Sequence, residues 1–228
     1  MSAEAEIRET MVRLSRSLFE RGYAHGSAGN ISARVEDGVV VSPTNSSMGR
    51  LTPETLSKLT PDGTYLSGDK PSKEAGLHLG VLEARPEAGA GVHLHSTYAT
   101  LLSCLADTDP ADAMPPITPY LVMRVGRVPM VPYFPPGSDE LARAVADKAR
   151  DHRAVLMANH GFVVTGRTFE DAVMNAEEFE ENAKLLFLAR GASIRLLDDA
   201  HRRADEEIRG LLTAGRRNLR TSPWRITH

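Results

Sequence analysis

Apolar residues recur three and four positions apart at Ile7, Met11, Leu14 and Leu18. That spacing predicts a helix over residues 3–22, with Gly22 to stop it. The period then changes. Ile31–Val35 alternates and Val39–Val41 is apolar, which predicts a hairpin turning at Glu36-Asp37-Gly38. A glycine-rich stretch, His25-Gly26-Ser27-Ala28-Gly29-Asn30, precedes the hairpin, and a polar loop, Ser42–Ser47, follows it. Leu66–Pro71 reads as a further loop. It opens a helix from about Ser72 to Ala84 that Pro86 ends. Ala88–Leu94 predicts a short apolar strand and Thr97–Leu105 a helix. The proline-rich segment 110–136 is expected to hold short strands such as Leu121–Val125. Asp139–Asp151 has the pattern of an amphipathic helix. Ala154–Ala158 is a strand with Phe162–Thr165 as its hairpin partner, and Thr168–Ala189 is a long helix.

Helices and short hairpin strands are interleaved without a βαβ period. This predicts a mixed or antiparallel sheet with helices on both faces. No repeat or low-complexity linker divides the chain. Residues 1–228 are therefore read as one domain, with an Arg-rich C-terminal tail from about residue 191 that carries Trp224. At 41% apolar and 25% charged residues the chain can bury a core without staples. A net charge of −3 gives no basic excess for a nucleic-acid or membrane partner. The single cysteine, Cys104, excludes an internal disulfide and fits a reducing compartment; it is expected to be packed on an apolar helix. The charged, amphipathic start does not read as a signal peptide, and no apolar run nears the roughly 20 residues of a membrane span. A cytoplasmic location is expected.

The strongest chemical signal is Val92-His93-Leu94-His95-Ser96. Residues two apart on a strand face the same way, so His93 and His95 aim at one point while Leu94 enters the core. Taken alone, the pair fits a Zn²⁺ site and two surface histidines equally. His160, in Asn159-His160-Gly161, follows an apolar strand at a place where loops carry function, and Gly161 is expected to permit a tight turn. Glu74 is expected in the first turn of a helix, where a carboxylate can serve as a ligand, a base or a plain dipole partner. Three histidines and one carboxylate would fill a catalytic shell for Zn²⁺ or another divalent ion such as Mn²⁺, and leave room for substrate.

Three polar turns suit an anion: Gly29-Asn30, Thr44-Asn45-Ser46-Ser47, and Ser72 before its helix. Ser72 is equally an N-cap and Gly29 equally a turn. None matches a P-loop or a dinucleotide fingerprint.

Together these residues resemble the class II aldolase/adducin family. Gly26-Ser-Ala-Gly-Asn-Ile-Ser is similar to its G-x-x-G-N-[IL]-S element, and Ser42-Pro-Thr to its S-P-[ST] loop. Lys70-Pro-Ser-Lys-Glu74 is similar to the loop with the acidic catalyst. His93-x-His95 and Asn159-His160-Gly161 are similar to the metal ligands. The resemblance implies a three-layer αβα fold around a mainly antiparallel sheet, and a homotetramer with its active site at the subunit interface. It implies metal ligands His93, His95 and His160, with Glu74 as ligand or base, and phosphate contacts from Asn30, Thr44, Asn45 and Ser72. A tyrosine from the neighbouring subunit is expected over the site, matched here by Tyr120. Asn45 departs from the glycine usual there.

Within the family the likeness is greatest to decarboxylases of 3-oxo-tetronate 4-phosphates, through Ser46–Leu51, Leu66–Glu74, Val92–Thr97 and Thr118–Arg124. The implied substrate is a small phosphorylated sugar acid. The implied products are dihydroxyacetone phosphate and CO₂, reached through a metal-stabilised enediolate. Sugar-phosphate aldolase and 4-epimerase activities are the alternatives on the same site, and a non-catalytic adducin-like scaffold is a third. Lys73 is expected to hold the substrate's carboxylate or phosphate, or else to be a solvated lysine. Glu74, in preference to Tyr120, is expected to return the proton after CO₂ leaves, its pKa raised by burial. His78, one turn after Glu74, reads as structural, and His25 as a turn residue.

Overall fold

A computed structural model describes residues 2–213. Helix α1 (Ala3–Glu20) starts on Ser2, whose hydroxyl accepts from the Ala5 N–H, and it buries Met11, Val12, Ser15 and Leu18. Strands β1 (Asn30–Val35) and β2 (Gly38–Val41) form the expected hairpin, with Val35 opposite Gly38. β3 (Ser57–Leu59) and β4 (Tyr65–Ser67) extend it as a second hairpin. This pair corrects the reading of Leu66 onward as loop. Three-residue strands are too short to show alternation, although Pro61-Asp62-Gly63 between them is a turn signal.

Helix α2 (Ala75–Ala84) begins three residues later than expected, with Glu74 as the residue before it. The Glu74 side chain makes no capping bond to α2, because it is turned elsewhere. Then come β5 (Ala90–Leu94), α3 (Thr97–Cys104), α4 (Pro119–Arg124), β6 (Met130–Val131), α5 (Asp139–Ala149), β7 (Ala154–Met157), β8 (Gly161–Gly166), α6 (Phe169–Leu188) and α7 (Asp199–Thr213). Residues 119–124 are helical, which overturns the strand expected at Leu121–Val125. Thr118 accepts from the Leu121 N–H and Pro119 occupies the first turn, where its missing N–H costs nothing. A short apolar run does not itself distinguish strand from helix.

The eight strands run β4-β3-β2-β1-β5-β8-β7-β6. Every pairing is antiparallel except β6 with β7, so the sheet is mixed but mainly antiparallel. Helices cover both faces. Phe162 and Val164 of β8 join a core with α1, α3 and α6, while Val163 between them joins Leu77, Val81, Leu141 and Val145 of α2 and α5. Phe162 stacks on Phe179 of α6 at a centroid distance of 4.0 Å.

The described part of the tail holds α7, tied back by the Leu197 N–H to the Pro116 carbonyl and by Arg202 to Asp112 at 3.1 Å. Trp224 lies outside the described residues. Among the described residues no helix is long and apolar enough to cross a membrane.

Candidate metal centre

β5 delivers the two histidines of the H-x-H motif at its C-terminal end. Leu94 is fully buried in the core with Val92 and Ala90, which leaves His93 on the opposite side of the strand. The His93 Nδ1–H donates to the Phe162 carbonyl of β8 at 2.8 Å, so its Nε2 carries the lone pair. That Nε2 lies 2.8 Å from Nε2 of His95.

His160 occupies the β7–β8 turn. The turn itself is made by Asn159, at φ +54, whose N–H donates to the Ser103 carbonyl. Gly161 is required for another reason: a Cβ there would stand 2.4 Å from the Leu94 carbonyl oxygen. This corrects the expectation that Gly161 makes the turn. The close approach of β8 to β5 brings the His160 ring within 5.0 Å of His93 and 4.7 Å of His95, centroid to centroid.

Glu74, the residue before α2, closes the group. Its Oε1 is 3.3 Å from His160 Nε2 and its Oε2 3.5 Å from His93 Nε2. One ligand atom from each of Glu74, His93, His95 and His160 lies within 4.8 Å of the others. Ligands about 2.0–2.1 Å from a tetrahedral Zn²⁺ stand roughly 3.3 Å apart, so the spacing fits a single cation. Both nitrogens of His160 and Oε1 of Glu74 are buried without a hydrogen-bond partner, a costly state that a cation relieves.

The electrostatics favour ligation. Burial first, and the neighbouring imidazoles second, push His95 down to about 3; burial and His93 push His160 down to about 4. Both rings are therefore neutral and have lone pairs to give. Burial works against ionisation of Glu74, but the adjacent His93 ring and the hydrogen bond from Asn30 outweigh it and hold the carboxyl far below its usual range. That reverses the expected rise: Glu74 is a carboxylate here.

A cleft of about 390 Å³ opens beside the centre, lined by Glu74 and His95 and also by Gly29, Thr44, Asn45, Ser72 and Lys73. The expected anion residues thus share one cleft with the metal cluster. The loops carrying them are joined by Thr44 N–H to Lys70 O and Ser72 N–H to Ser42 O. Ser72 caps the turn by accepting from the Glu74 N–H at 3.2 Å. Asn45 has φ +54, the left-handed conformation that glycine adopts freely and asparagine tolerates best among the rest. The departure from glycine therefore keeps the backbone path. The Asn30 amide has both ends engaged, with Nδ2 donating to Glu74 Oε2 at 2.7 Å and Oδ1 facing His78. Asn30 also lines the cleft. His25 lines the cleft too, and Lys73 is exposed within it.

Tyr120 is 60% exposed on α4 and does not line this cleft. Cys104, expected to be packed, is exposed at the end of α3. Sequence reasoning missed Glu180. Its buried carboxylate, on α6, accepts from the Ser96 hydroxyl at 2.6 Å and from the Tyr98 and Ala99 N–H groups at 2.9 Å. It thereby anchors the start of α3 immediately after His95. A glutamate within a long helix, 81 to 84 positions away in the chain, carries no local signal of that role.

An α/β fold with a mainly antiparallel sheet and a three-His, one-Glu cluster at a strand end defines a class of candidate metal-dependent enzymes. The sequence model of the Class II Aldolase and Adducin N-terminal domain matches residues 9–187, and the chain belongs to that family. A 3-oxo-tetronate 4-phosphate decarboxylase from Haemophilus influenzae is 52% identical over 204 residues, covering 89% of this chain and 97% of the relative. An L-fuculose phosphate aldolase from the same organism is 33% identical, covering 85% and 88%. The crystal structure of YgbL from Escherichia coli superimposes with a TM-score of 0.88 at 45% identity, covering 90% of this chain and all of YgbL.

Proposed function

We propose that the protein is a carboxy-lyase that converts a 3-oxo-tetronate 4-phosphate to dihydroxyacetone phosphate and CO₂. The observation that carries this reading is the shared cleft, which Glu74 and His95 of the four-residue cluster line together with Asn30, Thr44, Asn45, Ser72 and Lys73. The decarboxylase relative at 52% identity supports the same substrate class.

His93, His95, His160 and Glu74 would hold the ion, Zn²⁺ or another divalent cation such as Mn²⁺. When bound, that cation supplies Lewis-acid polarisation of the keto oxygen. Thr44, Asn45 and Ser72 seat the phosphate through hydroxyl and backbone N–H groups. Lys73 holds the carboxylate. As the C1–C2 bond breaks, its electron pair moves toward the carbonyl and leaves an enediolate. Glu74 starts ionised, so it acts first as a base. Free of the ion, it takes a proton from water, leaving hydroxide, and delivers that proton to carbon C2 as the C3 carbonyl re-forms. Tyr120 of a neighbouring subunit in a homotetramer would cover the site; its exposure on α4 supports that role. Helices on both sheet faces support the three-layer αβα description. A lone cysteine fits a cytoplasmic location.

The aldolase reading shares the enediolate and differs in the leaving group. A panel of four-carbon keto acid phosphates, scored for CO₂ and dihydroxyacetone phosphate together, separates the two. Equal yields of both products are expected. Aldehyde release from fuculose 1-phosphate with no CO₂ from the panel would replace the decarboxylase by the aldolase.

A further inference from the structure

His78 on α2 is wholly buried and makes two hydrogen bonds. Its Nδ1 lies 2.8 Å from the Ser32 hydroxyl and its Nε2 lies 2.6 Å from Asn30 Oδ1. Asn30 Nδ2 in turn donates to Glu74 Oε2 at 2.7 Å. Donor and acceptor chemistry fixes the direction of every bond in this chain. A carboxylate only accepts, so the Asn30 amide must present its NH₂ to Glu74 and its oxygen to His78. His78 must then carry hydrogen on Nε2. Its bare Nδ1 accepts from the Ser32 hydroxyl. Three bonds therefore run one way, from Ser32 through His78 and Asn30 to Glu74. The space for them comes from Gly91 of β5: a Cβ there would stand 3.1 Å from Ser32 Oγ and 3.2 Å from His78 Nδ1.

We infer that His78 and Ser32 are positioning residues for the cation centre, acting through Asn30 to set which way the Glu74 carboxylate faces. This rests on the reading of the four converging side chains as a cation site. With Oε2 held by the amide, Oε1 is left free and 3.3 Å from His160 Nε2, on the inner side of the cluster. Without the Nε2–H of His78 the amide has no reason to keep its orientation. A flipped amide sets oxygen against oxygen, and the carboxylate turns away. A histidine that merely filled space would need only its volume.

The test compares His78→Met, which keeps bulk without a donor, with His78→Gln, whose NH₂ can replace the Nε2–H. Zinc affinity is measured by competition with a chromogenic chelator, with circular dichroism to confirm folding. His78→Met is expected to weaken zinc binding about tenfold or more, the usual effect of losing an outer-shell partner. His78→Gln is expected to recover most of the loss. Equal affinity in all three proteins, or an equal fall in both variants, would overturn the inference. A wild-type chain that takes up no zinc would overturn the centre itself and the inference with it. Should His78→Met not fold, Ser32→Ala removes one hydroxyl and leaves the ring in place. It is expected to weaken zinc several-fold, and an unchanged affinity would overturn the inference.

Discussion

The Nε2 atoms of His93 and His95 stand 2.8 Å apart, and the Nδ1–H of His93 is already committed to the Phe162 carbonyl. His93 Nε2 can therefore only accept, so in the metal-free protein His95 must turn an N–H toward it, whereas a cation between them takes a lone pair from each. Zinc should therefore stabilise the fold as any ligand of the native state does. At a free concentration 100 times its dissociation constant the gain is about 2.7 kcal/mol. For a domain of this size that is a rise in Tm of about 5–10 °C. Calorimetry of chelator-treated protein with and without added zinc measures it. A melting curve indifferent to zinc would count against the centre.

Glu74→Gln preserves shape and the acceptor for Asn30 but removes the base. Zinc should still load through the three histidines when supplied in excess, at an affinity lowered about tenfold or more. kcat for CO₂ release should fall about 10²- to 10⁴-fold, the usual worth of a positioned acid or base, with little change in KM. Stopped assays on the zinc-loaded variant check this. Undiminished turnover would remove Glu74 from the proton transfer.

Lys73 stands exposed in the cleft beside Glu74. A hydrogen bond to a charged partner is worth about 1.5–3 kcal/mol, so Lys73→Met should lower kcat/KM for the keto acid phosphate about ten- to a hundredfold. Steady-state kinetics of the variant against wild type give the ratio. An unaltered ratio would make this a solvated lysine.

Burial first, then neighbouring imidazoles, depress His78 and His95 to about 3 and His160 to about 4. In the unfolded chain a histidine titrates near 6.5. Between those values the unfolded state binds more protons, so stability rises with pH across that window. The contribution is complete above about pH 6.5 and is lost as the pH falls toward 4 and then 3. Urea unfolding of metal-free protein should show a lower midpoint at pH 5 than at pH 7.5. An equal midpoint at the two values would contradict the buried, neutral histidines.

Much of the centre could be read in the chain because each ligand sits at the end of a patterned element. Strand alternation alone set His93 and His95 on one side and Leu94 in the core. The convergence of His160 and Glu74 on that side was carried by motif resemblance, since no local period reports a distance between β8, α2 and β5. Two classes of feature escaped. The Pro119–Arg124 helix and the β3–β4 hairpin are too short for periodicity, and cap chemistry at Thr118 decided the first. The second class is polar partnership across the fold. The Asn30 amide bridges Glu74 and His78, Glu180 anchors the turn after His95, and the Glu74 carboxyl is held down instead of raised. Each depends on which donors meet a buried acceptor, and spacing along the chain does not encode that.

Anomalous diffraction at the zinc edge from crystals of zinc-loaded protein tests the central claim most directly. The account predicts one strong peak at about 2.0–2.1 Å from nitrogen atoms of His93, His95 and His160. A zinc peak elsewhere, or density in which those three rings point away from one another, would contradict it.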